Sequence, residues 1–271
     1  MASVTALLPA WNAAGFIQPT LDCLSAQTHA DLRVLVSVDL CEDDTAGICE
    51  AHAARDPRFS VIRQPRRLGY VGNCNALLEA AQSDYVLFAF HDDILAPEYV
   101  ARLSATLDAN PGAVMSFSDV HLTHVDGRHE HWQLTELEGV LDPVERGRRI
   151  LGGRCKWWVP NRGVFRLERT RRIGGLKTHD GGEFSADWPW LFHMSLLGEF
   201  VRVPATLCHK YYKPGSLSRS WDFSPQQFFD VRCACMRELW NSGLPGVEKL
   251  KIAYPLLDAL IRSRPQGAGD K

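Results

Sequence analysis

The sequence predicts an α/β protein: a mostly parallel sheet flanked by helices, with a smaller mixed subdomain and C-terminal helices behind it. Two observations lead there. Short apolar, β-branched runs alternate with segments of helical spacing between residues 3 and 108, the pattern of a parallel sheet with right-handed crossovers. Those runs are apolar nearly throughout rather than at every second position, as in strands covered on both faces. A third observation concerns function. Polar residues stand directly after the strand ends, where open sheets of this kind bind their ligands.

In order, residues 3–9 (SVTALLP) read as a buried strand, AWNAAGF as a turn, and 17–27 as a helix with Pro19 in its first turn. The run 32–39 is a second strand ending at Asp39. The loop CEDDT follows, then a helix from Thr45 to Ala54 with acids just ahead of it, where the helix dipole favours them. FSVIRQ (59–64) is a third strand, RRLGYVGN a glycine-punctuated loop, and 75–82 a helix. YVLFAF (85–90) is a fourth strand and 97–108 a helix. Beyond that, 114–134 reads as two strands about an Asp126–Gly127 turn, 143–151 as a short helix, GVFRLE as a strand and RTRRIGGL as a helix closed by glycine. Residues 185–198 read as a helix with Asp187 near its start, 199–213 as a strand, 224–243 as a Ser-capped amphipathic helix, and 252–264 as a last helix.

The bulk numbers set bounds. A chain of 271 residues with 45% hydrophobic content can bury a large core, as one α/β domain or two fused lobes. A net charge of −2 gives no global attraction to nucleic acid or anionic membrane. The opening MASVTALLPAW has no basic segment followed by a long apolar run, and no window reaches the ~18 apolar residues of a membrane span. The eight cysteines are scattered and read as small buried hydrophobes of a reducing compartment. The expectation is a cytosolic protein with at most peripheral contact at the inner membrane face.

The acidic pair Asp92–Asp93 follows a buried strand, which is costly unless something positive binds there. A hard cation, Mn2+ or Mg2+, is the simplest partner; the alternative is an N-cap for the helix at Pro97. Asp39 can accept from a base N–H or a ribose hydroxyl, or serve as a cap, although Asp43 and Asp44 are better placed to cap the next helix. Asp187 can be an N-cap or a base. Trp188 and Trp190 beside it should raise its pKa and offer faces to a sugar ring. His121, His124, His129 and His131 suggest zinc, but strand alternation separates His121 from His124, which favours solvated or acceptor-side histidines.

Four segments, LLPAWN (7–12), VSVDLCEDDT (36–45), RRLGYVGNCNALLEAAQSDYVLFAFHDDIL (66–95) and SADWPWLFHMSLLG (185–198), stand in the order found in family 2 glycosyltransferases. The chain resembles that family over residues 4–220. The resemblance implies a GT-A (Rossmann-like) fold and transfer of a sugar from a nucleotide-diphosphate donor, UDP-linked, to a hydroxyl acceptor by metal-assisted inverting displacement. It further implies that Pro9, Ala10, Trp11 and Asn12 wall the base and that Asp39 pairs with a uracil-type base. Arg66, Gly69 and Asn75 would line the loop beside base and diphosphate. Asp92 would sit near the ribose, Asp93 would ligate Mn2+ or Mg2+, and Asp187 would be the general base. The chain departs from the pattern at Leu40, His91 and Ala186, where acids are common, and in 209–220, where Lys210 and Lys213 replace Arg and His near the diphosphate. Trp158 and Trp188 are candidate acceptor contacts.

The organisation expected is a nucleotide-sugar half at 1–110, an acceptor half carrying the base at 111–222, and a helical segment at 223–271. The acceptor would be a saccharide, a lipid-linked molecule or a small molecule; no nucleic-acid partner is expected. The alternative is a non-catalytic nucleotide-sugar or glycan binder on the same fold. A nucleotidyltransferase is disfavoured because AWNAAGF has one glycine and no Lys or Arg to cradle a triphosphate.

Overall fold

The structure, a computed structural model, describes residues 2–91, 93–152, 155–212 and 221–263. Strands β1 (Val4–Ala10), β2 (Leu32–Val38), β3 (Phe59–Arg63) and β4 (Tyr85–Phe88) form the parallel half of one curled sheet. All seven residues of β1 are buried, as expected for a central strand covered on both faces. Helices α1 (Gln18–Ser25), α2 (Thr45–Ala53) and α3 (Gly69–Ala80) make the crossovers. Next in chain order come β5 (Asp93–Leu95), α4 (Tyr99–Ala109), β6 (Ala113–Thr123) and β7 (His129–Trp132). They are followed by α5 (Pro143–Leu151), a 3-10 turn at Val159–Arg162, β8 (Val164–Arg166), α6 (Leu167–Ile173), α7 (Asp187–Leu197), β9 (Glu199–Tyr211), α8 (Pro225–Asn241) and α9 (Gly246–Ser263).

The sheet order is β3-β2-β1-β4-β8-β6-β9-β5, with β7 on β6. Short β8 runs antiparallel to both β4 and β6 and joins the two halves. β6 and β9 run parallel over a long, irregular register. β5 then closes the far edge antiparallel to β9, setting Asp93 opposite Lys210.

Four expectations change. β4 stops at Phe88, two residues early. The acidic pair does not lie wholly in a loop, since Asp93 begins β5. The final helix starts at Gly246 and carries Pro255 inside it. Most informative is α3, which begins at Gly69 and absorbs the segment read as a loop. Its two glycines suggested a loop. However, the helix is capped from outside, because the Asp39 carboxylate accepts from the backbone N–H groups of Leu68 (2.8 Å) and Gly69 (3.0 Å). Gly69 has φ +74°, the left-handed backbone that favours glycine, and a Cβ there would come within 2.7 Å of Glu183 Oε1, the end of a side chain that would have to shift. At α2 the cap is Asp43, whose carboxylate accepts from the Thr45 N–H and hydroxyl; the Asp44 side chain makes no cap bond.

Candidate active site

Asp93, the first residue of edge strand β5, is 2% exposed. Its Oδ2 is 2.6 Å from Arg162 Nε and its Oδ1 3.6 Å from Lys210 Nζ, and both cations are buried. The positive partner that a buried carboxylate requires is therefore supplied by the protein itself. Asp93 does not cap α4, whose N-cap is Glu98 with no side-chain bond.

Arg162 links Asp93 to Asp187. Its guanidinium acts electrostatically on Asp187, holding that pKa down in part. The dominant influence on Asp187 is desolvation, which pushes its pKa up to about 6. Asp187 is partly buried and is the first residue of α7. The N-cap is Ala186, so Asp187 is not spent on capping. Asn161 Nδ2 donates to its Oδ2 at 2.8 Å, which fixes the carboxylate's orientation. Tyr70 of α3 lies beside both; its phenol is shifted well up, by burial first and then by the Asp187 charge. Ser185, two residues before Asp187, has φ +46°, a conformation that L side chains hold only where the surroundings impose it.

The nucleotide half meets this group through Glu183. Its Oε1 accepts from Val71 N–H at 2.8 Å, tying the turn ahead of α7 to the start of α3, where Asp39 is bound. Asp39 is 2% exposed. Besides capping α3 it accepts from Leu40 N–H and lies 3.4 Å from Arg67 Nε. Trp11, 44% exposed, donates its indole N–H to Leu40 O, and the Arg67 guanidinium stacks 3.5 Å from its ring centroid. Asn12, at φ +44°, accepts from Glu42 N–H. Pro9 and Ala10 are buried at the end of β1. An exposed aromatic face with a guanidinium above it, at the mouth of β1 and β2, is a surface suited to stacking a base.

Several expected residues stand elsewhere. Asn75 is in the second turn of α3, and its amide bonds the backbone of Leu176 with both ends (2.8 and 2.9 Å); it staples α3 to the segment after α6. Arg66 is exposed, and its neighbour Arg67 is the one engaged with Trp11 and Asp39. Trp188 is buried, stacked on Trp157 with ring centroids 5.0 Å apart and donating to Ile150 O. Trp190 is buried against Phe88 and Phe165. Both therefore belong to the core and offer no face to a sugar. Trp158 is partly buried between Trp132 and Trp157. Asp92 and Lys213 lie outside the described residues.

His121, His129, His131 and His209 gather on the sheet face opposite Lys210. The other three rings lie 5.0–5.1 Å from that of His121. Slight desolvation and the neighbouring imidazoles lower the His121 pKa. Among the described residues, no three His, Cys, Asp or Glu side chains are disposed to hold a metal ion. All eight cysteines are free.

Sequence reasoning did not single out Asn161, Arg162, Arg67 or Glu183. Arg162 stands in the sequence among several other arginines between residues 146 and 172, and Arg67 is half of an Arg-Arg doublet.

The model of the family described as "Glycosyl transferase family 2" matches residues 5–174, and the chain belongs to that family. It is 27% identical to "Glycosyltransferase GlyA" of Streptococcus pneumoniae, over 98% of this chain and 39% of that protein. It is 28% identical to EpsH of Bacillus subtilis, over 51% of this chain and 43% of that protein. The chain thus spans less than half the length of these relatives. Among solved structures, S. aureus TarS 1-349 in complex with UDP-GlcNAc aligns with a TM-score of 0.73 at 18% identity, over 94% of this chain and 71% of that one. The mannosyltransferase PcManGT of Pyrobaculum calidifontis, solved with GDP-Man and Mn2+, aligns at 0.62 and 17%, over the whole chain and 76% of the other. The fold is the GT-A fold of these neighbours. Among the described residues, no helix is long and apolar enough to cross a membrane.

Proposed function

We propose that this chain is a glycosyltransferase that moves a sugar from a UDP-linked donor to a hydroxyl acceptor with inversion at the anomeric carbon. The observation that carries the proposal is Asp187, a partly buried carboxylate held by Asn161, with its pKa pushed up to about 6. Such a group is ionised at neutral pH yet basic enough to take a proton from an attacking hydroxyl. Residues 1–110 hold the donor, with the base against Trp11 and Arg67 and the uracil edge toward Asp39. Residues 111–222 hold the acceptor and the base. Helices α8 and α9 buttress the acceptor half. UDP-GlcNAc in one structural neighbour and GDP-Man in another support the nucleotide-sugar class.

A divalent cation, Mn2+ or Mg2+, belongs to the proposal through the family resemblance, and when bound it would neutralise the leaving diphosphate. Asp93 does not fit as its ligand. The carboxylate is buried, with Arg162 on one oxygen and Lys210 on the other, so a metal would have to displace a buried cation. The mechanism is therefore derived from the protein groups alone. Asn161 orients Asp187, Arg162 favours its ionised form, Asp187 accepts the acceptor's proton, and the acceptor oxygen attacks the anomeric carbon as UDP departs.

UDP release from a panel of UDP-sugars, measured between pH 5 and 8.5, tests this reading. The expected profile rises through about pH 6 and flattens above, because only the ionised carboxylate is a base. No turnover with any sugar nucleotide, or a rate independent of pH across that range, would contradict it.

A further inference from the structure

We propose that α9 forms an antiparallel two-helix seam with α9 of a second copy of this chain. This goes beyond the transferase reading and does not depend on it. One face of α9 is already used: Ile252, Ala253, Leu256 and Leu260 are buried against the body of the protein. A second apolar stripe points outward. Val247, Leu250, Tyr254, Leu257 and Ile261 are 68, 59, 78, 48 and 74% exposed. Their spacing alternates three and four residues over two heptads, which is the a/d pattern of a helix paired with another helix. Singly exposed apolar residues need no explanation, but a continuous stripe in this register does.

The charges at the edges of the stripe select the partner and its direction. With Val247, Tyr254 and Ile261 at a and Leu250 and Leu257 at d, the e positions are Lys251 and Asp258, both exposed, and the g positions are Gly246 and the buried Ala253 and Leu260. In an antiparallel pair, a faces d and e faces e. Tyr254 then meets the second copy's Leu257, and Leu250 meets its Ile261. Lys251 meets the second copy's Asp258, and the two-fold axis repeats each contact. A parallel pair would set Lys251 against no acid, because its g positions carry none. The stripe is thus self-complementary in register and in the sign of its flanking charges, as an isologous dimer requires. Taken from their exposed fractions, the five side chains offer on the order of 600 Å2 per copy, about 1,200 Å2 in the pair, which reaches the lower bound of a specific interface.

Sedimentation velocity of the full chain from 1 to 100 µM tests the seam. The expected result is a concentration-dependent dimer. Tyr254→Glu should abolish it while leaving the circular-dichroism melt unchanged, since that side chain is largely solvent-exposed. Lys251→Asp and Asp258→Lys should each weaken dimerisation by about tenfold, since attraction becomes repulsion at symmetry-related contacts. The double exchange should restore it to within about threefold. A chain that stays monomeric at 100 µM overturns the proposal, as does a dimer indifferent to Tyr254→Glu or a double exchange no better than the single ones. Monomeric chain that binds anionic phospholipid vesicles through Tyr254 would assign the stripe to a membrane surface instead.

Discussion

Replacing Asp187 by Asn is expected to lower sugar transfer by roughly 10²–10⁴-fold, the usual contribution of a positioned general base, with the donor Kd unchanged within about twofold. The substitution keeps the oxygen that accepts from Asn161, so the geometry survives and only proton transfer is lost. The same variant should be more stable than the parent at neutral pH. Burial raises the folded-state pKa from an ordinary carboxylate value to about 6, so the folded protein favours the protonated form. The contribution of Asp187 to stability is thus fully present below the unfolded pKa and is lost as pH rises toward and through 6, by on the order of 2 kcal/mol. A neutral amide removes that loss. Urea unfolding at pH 8 should show the Asn variant ahead by about that amount, and at pH 4 the two should converge. A residue with a purely structural role would instead lose stability when replaced and leave kcat nearly intact.

The second large effect is expected at Arg162. Truncation to Met removes the cation 2.6 Å from the buried Asp93 carboxylate and leaves Lys210 at 3.6 Å. Removing one partner of a buried ion pair typically destabilises by about 3–5 kcal/mol. For a chain of this size that is a fall in Tm on the order of 10 °C. A second readout separates function from folding. Arg162 lowers the Asp187 pKa, so any residual activity should show its acid limb displaced upward. Combining Arg162→Met with Asp93→Asn should recover part of the lost stability, because the uncompensated charge is gone, while the upward shift of the acid limb remains. A Tm change under ~2 °C, or an acid limb that does not move, would remove Arg162 from its bridging role.

The parallel half of the sheet was legible because its strands are buried on both faces and read as unbroken apolar runs, as β1 does. Asp187 was legible because an acid flanked by tryptophans at a helix start has few reasons to be there. What the sequence concealed depends on contacts between segments distant along the chain. A helix beginning with two glycines in its first four residues, as α3 does, looks like a loop until Asp39, 30 residues away, is seen capping it. Nothing local distinguishes Arg162 from the other arginines of the second half; it becomes the bridge between two carboxylates only once β8 joins the half-sheets and brings 69 residues of separation down to 2.6 Å. The tryptophans beside Asp187 read as sugar platforms from their place in the sequence, yet the helix turns both into the core, against Trp157, Phe88 and Phe165.

Calorimetric titration of UDP, GDP and dTDP into the folded chain, with Mn2+ present and again with chelator, tests the central claim most directly. The account predicts that UDP binds, and binds more tightly than GDP, through Trp11, Arg67 and Asp39 at the mouth of β1 and β2. Heat from none of the three nucleotides, with the protein folded and metal supplied, would contradict it.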